Sequence, residues 1–91
     1  MSTSRLAEIR SRLEAEFKPD VLEIVDESHR HAGHAGARDG RGHFAVRIVS
    51  DRFKGIKTLA RHRMVYAALG SLMQTDIHAL SLEALSPTES R

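Results

Sequence analysis

The segment His43-Phe44-Ala45-Val46-Arg47-Ile48-Val49-Ser50-Asp51-Arg52-Phe53-Lys54-Gly55 decides how this chain folds. Phe44, Val46 and Ile48 alternate with Ala45, Arg47 and Val49, which predicts a strand with one apolar face. Asp51 to Gly55 reads as a turn. Gly55-Ile56-Lys57-Thr58 then leads into a helical region where Val65, Ala68, Leu69, Leu72 and Met73 form one stripe, ended by Gln74-Thr75-Asp76. From Ile77 to Leu85 the chain alternates again, with His78, Leu80, Leu82 and Ala84 on one parity. A strand that returns through a helical crossover can lie parallel to its predecessor, with a right-handed connection.

Upstream, Val21-Leu22-Glu23-Ile24-Val25 is rich in β-branched residues and reads as a strand. Before it, Leu6, Ile9, Leu13 and Phe17 recur at three- and four-residue spacing, the mark of an amphipathic helix. A Ser/Thr cluster opens that helix and Lys18-Pro19 closes it. The order is helix, strand, strand, helix, strand, with a short helical turn possible before the second helix. The first two strands, joined by a loop, should be antiparallel. The economical architecture is α+β: a three-stranded mixed sheet with helices packed on one face. Length allows a single domain over residues 1–91. The polar tail after Pro87 is expected to fray.

Between the first two strand-like runs lies a stretch rich in glycine and histidine. Residues 28–42 hold four glycines and no apolar side chain larger than alanine, so they are expected to form a mobile loop. Four of the six histidines (His29, His31, His34 and His43) fall in or at the end of this stretch. Imidazole is the commonest protein ligand for borderline metals and titrates near neutral pH. The chain has no cysteine, so it can ligate a metal only through nitrogen or oxygen. A cluster that needs sulfur would take it from a partner. The loop spacing alone is weakly specific, and solvated loop histidines account for it better than a metal site does. His78 differs, because it begins the last strand. There it is either a histidine at a core edge or a rigid ligand, and a parallel pairing with the second strand would bring it beside the loop.

Charge is segregated along the chain. Residues 1–29 hold four basic against seven acidic side chains, residues 30–63 nine against two, and residues 64–91 one against three. Arg52, Lys54, Lys57, Arg61 and Arg63 cluster at the entrance to the second helical region with only Asp51 nearby. Basic side chains beside the free amides of a helix start suit phosphate contact, as in nucleic-acid binding, and a solvated face is the bland alternative. The chain shows no nucleophile elbow, P-loop or dinucleotide fingerprint. Asp26 and Glu27 are adjacent on a strand end and so point to opposite faces, a poor carboxylate pair. A non-enzymatic role is therefore expected. Met1 to Arg5 enter the amphipathic pattern with no apolar leader, and no apolar run is long enough to span a bilayer, so a cytoplasmic protein without a membrane anchor is expected.

The segments DESHRH (26–31), HFAVRIVSDRFKG (43–55), RHRMVYAAL (61–69) and HALSLEALSP (78–87), in this order and spacing, closely resemble the BolA family. The resemblance runs from about Leu6 to Pro87. It implies a class II KH-like αββααβ fold, in agreement with the order read from periodicity. It also implies partnership with a monothiol glutaredoxin in a heterodimer that shares a bridging 2Fe-2S cluster and glutathione, in iron–sulfur trafficking or iron signalling. The family's strand histidine maps onto His78 and its loop ligand onto His31, with His34 and His29 as loop alternatives. Similar bacterial members are described as DNA-binding transcriptional regulators linked to stress; for that role Arg52, Lys54, Lys57, Arg61 and Arg63 are the positions carried over. Two departures stand out. The loop looks longer and richer in glycine and histidine than the usual version, and the C-terminal run Pro87-Thr88-Glu89-Ser90-Arg91 lacks the aromatic residue that many members carry there.

Overall fold

A computed structural model describes residues 5–27 and 42–89. The elements in chain order are α1 (Arg5–Phe17), β1 (Val21–Asp26), β2 (Gly42–Val49), a 3₁₀ turn (Asp51–Phe53), α2 (Thr58–Leu69), α3 (Leu72–Thr75) and β3 (Ile77–Leu85). The sheet order is β1-β2-β3, with β1 antiparallel to β2 and β3 parallel to it. This is the expected α+β mixed sheet. His31, His34 and His29, with most of the expected mobile loop, lie outside the described residues.

Burial explains the arrangement. Ile9, Leu13 and Phe17 of α1 and Val65 and Leu69 of α2 pack with Phe44, Val46 and Ile48 of β2 in one apolar cluster. Each such side chain withdrawn from water contributes roughly 1.5–3 kcal/mol before the entropy of ordering it. The other face of the sheet carries Glu23, Val25, Ala45, Arg47, Ser81 and Glu83, which line a shallow open depression. Glu23 and Glu83 sit opposite Arg47 on its two neighbouring strands, and Arg47 Nε is 3.1 Å from Glu83 Oε1. At the free edge of β1, Arg10 of α1 donates from Nη1 to the Leu22 carbonyl at 3.4 Å.

Helix ends are set by local backbone chemistry. Lys18 takes a positive φ of 45° and its N–H closes on the Glu14 carbonyl, after which Pro19 prevents continuation of α1. The apolar stripe read through Leu72 and Met73 as one helical region is in fact two helices. Gly70, at φ 55°, breaks it, and its N–H bonds back to Tyr66. Arg12 Nη1 satisfies the Leu69 carbonyl at the end of α2, 3.0 Å away. Such terminal carbonyls have no partner inside the helix.

The segment 50–53 fastens the far end of α1 to the sheet. Ser50 is buried; its Oγ donates to the Phe17 carbonyl at 2.8 Å and accepts from the Arg52 N–H at 3.1 Å. Arg52 donates to the Glu16 carbonyl, and its guanidinium lies 6.0 Å from the Phe17 ring centre. Phe53 is buried with its ring centre 5.0 Å from that of Phe17.

The tail departs from the expected fraying as far as it is described. Glu89 N–H bonds the Ser86 carbonyl, and the Ser86 N–H returns a bond to Glu89 Oε1 at 2.8 Å. Arg61 holds the same carboxylate through both Nη atoms, at 2.6 and 3.1 Å.

Candidate metal-ligating site and basic face

The start of β3 contains a register irregularity. Gly42 pairs with Ile77 but His43 pairs with Ala79, leaving His78 as the extra residue of a bulge. Ile77 therefore joins the core alongside Leu80, Leu82 and Ala84, which have the opposite parity. His78, expected on the core-edge parity of Leu80 and Leu82, is instead exposed. A regular strand would have turned it inward, because side chains alternate faces at a period of two.

The bulge sets His78 against His43. Their ring centroids are 5.1 Å apart, with the planes inclined by 52°. His43 is half-buried and its Nε2 is shielded from solvent. His43, at the end of the histidine-rich stretch in sequence, belongs to β2 on the face opposite Phe44. Its position was readable in principle, since its parity is that of Ala45 and Arg47. Its closeness to His78 was not, because that depends on the bulge.

Both stubs of the segment 28–41 end here. The Glu27 N–H bonds the His43 carbonyl at 2.8 Å, and the Gly42 N–H bonds the Asp76 carbonyl at 2.8 Å. The parallel pairing of β2 and β3 thus puts the attachment points of the histidine-rich segment at the same sheet end as His78. Asp76, just before β3, has its carboxyl held below the usual range, chiefly by the Thr75 hydroxyl and also by Arg5, whose Nε is 3.3 Å away.

The donor set can be tested against the expected cluster. The site offers imidazole nitrogen, and the whole chain has no thiolate. Two imidazoles on one iron with two thiolates on the other is a known 2Fe-2S ligand set. His78 fits the imidazole half of such a set; the sulfur half would have to come from outside this chain. Among the described residues no group of three or more His, Asp or Glu side chains is arranged to hold a metal ion.

The basic positions divide into two kinds. Lys54, Lys57 and Arg63 are exposed near the entrance to α2. The opening turn of any helix leaves amides without intrahelical acceptors, and those amides favour anions. Arg61 does not belong with them. It is 6% exposed, and its guanidinium donates to the Ile56 and Ala84 carbonyls as well as to Glu89. Every part of that group faces the protein interior or its own tail, so the expected phosphate contact is corrected to a structural role. Arg52 is exposed but tethered to Glu16. Tyr66 and Leu59 are exposed on α2, and the His62 and Tyr66 rings stand edge to face at 6.5 Å.

The described residues thus form a small mixed sheet with helices on one face and a pair of imidazole side chains at one sheet end. The family model for BolA-like proteins matches residues 13–89, and the chain belongs to the BolA family. The DNA-binding transcriptional regulator BolA of Escherichia coli is 46% identical over 89% of this chain and 74% of its own length. SufE-like protein 1 of Arabidopsis thaliana is 45% identical over 94% of this chain, which spans only 24% of that protein. The solved structure of BolA1 from Arabidopsis thaliana superimposes with a TM-score of 0.84 at 37% identity, covering 99% of this chain and 100% of that one. The chain thus spans between a quarter and three quarters of the curated relatives named here. Among the described residues no helix is long and apolar enough to cross a membrane.

Proposed function

We propose that this protein is the imidazole-donating partner of a monothiol glutaredoxin, the two chains sharing a bridging 2Fe-2S cluster with glutathione. The observation that carries the reading is His78, exposed on a bulge at the sheet end where both stubs of the histidine-bearing segment 28–41 meet. Family membership supports it, since the resemblance implies that partnership. The absence of cysteine agrees with a chain that gives nitrogen donors and takes sulfur from elsewhere.

In this reading β3 fixes His78 and the segment after β1 delivers His31, with His34 or His29 able to replace it. The cluster, when bound, supplies iron that accepts the imidazole nitrogens. The chain's own part is to present those nitrogens deprotonated and at a fixed place. Protons compete for the same lone pairs, so retention weakens with acidity.

Anaerobic reconstitution with iron, sulfide, glutathione and a monothiol glutaredoxin tests the reading through visible circular dichroism. Wild type gives a heterodimer spectrum distinct from that of the glutaredoxin alone, and His78→Ala loses it with the fold retained. A glutaredoxin spectrum that wild type leaves unchanged ends the proposal.

A second reading, a DNA-binding regulator, draws on the exposed Lys54, Lys57 and Arg63 at the α2 entrance and on the name of the Escherichia coli relative. Phosphate contacts there would give affinity that falls steeply with salt.

A further inference from the structure

The histidine pair has a geometry of its own, independent of the segment 28–41 and of any partner. A metal about 2 Å from one nitrogen of each of two imidazoles, at a tetrahedral angle, sets their ring centres roughly 5 Å apart. His43 and His78 have that separation, 5.1 Å. Their planes are inclined by 52° rather than stacked flat.

Two devices hold the pair in place. His43 sits on the central strand, bracketed by β1 and β3, and its main chain is tied to Glu27. His78 occupies the β3 bulge, and bulges re-aim side chains in this way beside functional sites. Donors carried by strands are positioned more accurately than donors on loops.

We infer that His43 and His78 form a two-imidazole site for a single borderline divalent ion such as zinc, cobalt or ferrous iron, which the chain binds alone. Water completes the coordination, so the site is open rather than a closed structural one. The inference adds His43 to the functional residues and needs neither glutaredoxin nor sulfide.

The experiment uses the full chain carrying His29→Gln, His31→Gln and His34→Gln, so that the segment 28–41 offers no imidazole. Zinc is titrated while the imidazole nitrogens are followed by long-range ¹H–¹⁵N NMR. The expected result is that His43 and His78 shift together, saturating at one ion per chain, while His62 stays still. Adding His43→Gln or His78→Gln weakens zinc binding at least tenfold with the amide spectrum otherwise retained. His78→Cys gives a second test: it keeps a donor at the bulge, so with cobalt a sulfur-to-metal charge-transfer band appears. An equal response from His62, zinc affinity indifferent to His43→Gln, or no cobalt–sulfur band from His78→Cys would overturn the inference. Such a result leaves the cluster proposal standing if His78→Ala still abolishes the heterodimer spectrum. Conversely, zinc binding by the pair with no heterodimer spectrum would end the cluster proposal alone.

Discussion

Arg61, on the first turn of α2, is bound to Glu89, 28 residues further along, by a two-pronged ion pair of 2.6 and 3.1 Å. The same guanidinium donates to the Ile56 and Ala84 carbonyls, so one side chain joins the helix entrance, the end of β3 and the tail. Arg61→Ala leaves both carbonyls and the half-exposed Glu89 carboxylate without their donor, and stranding an interior acceptor costs about 1–3 kcal/mol. Urea unfolding followed by circular dichroism should show that loss. Arg61→Lys should recover little of it, since an ammonium cannot make the fork.

The same pair gives a sign for acid sensitivity. Glu89 is pulled down from 4.5 to about 2, first by its hydrogen bonds to Arg61 and then by the Ser86 amide. A carboxylate whose folded value is depressed stabilises the fold above its unfolded value and loses that contribution as pH falls. The melting temperature of wild type should therefore exceed that of Glu89→Gln at pH 7. The gap should close between about pH 5 and pH 2. A gap that stays constant across that window would mean that the carboxylate charge contributes nothing.

Ser50 is a third point of attachment. It is 1% exposed and links the Phe17 carbonyl to the Arg52 amide. Ser50→Ala removes both bonds and strands a helix-terminal carbonyl, at about 1–3 kcal/mol. The midpoint of denaturant unfolding is the measurement, with an unchanged slope expected.

If nucleic acid binds at the α2 entrance, the exposed cations carry it. Lys57→Ala and Arg63→Ala should each weaken binding and lower the salt slope by about 1, without sequence preference. Fluorescence anisotropy at several salt concentrations reads both quantities. Arg61→Ala is unsuitable as a probe there, because it perturbs the fold first.

The elements were legible because burial leaves a period in the chain. Phe44, Val46 and Ile48 mark β2, Ile9, Leu13 and Phe17 mark α1, and the observed strands Val21–Asp26 and Ile77–Leu85 fall where β-branched composition and alternation, respectively, place them. Three features left no such trace. The bulge at His78 is a property of the pairing between β2 and β3, and nothing local to Ile77-His78-Ala79 announces it. Arg61 looks like its basic neighbours until Glu89 is brought to it by the fold. The break at Gly70 interrupts a stripe whose apolar residues continue in step, so periodicity runs through it. Alternation places His78 at the start of β3, where it lies, while the closeness of His43 to it needs the register.

Arg10 has a consequence beyond its own helix. Strands at the edge of a sheet expose amides and carbonyls that another chain can pair with. By holding the Leu22 carbonyl, the Arg10 guanidinium occupies an acceptor that an incoming strand would need. The helix that roofs the core thus also guards the rim of the sheet. Unravelling of α1 would uncover both the core and the edge of β1 at once.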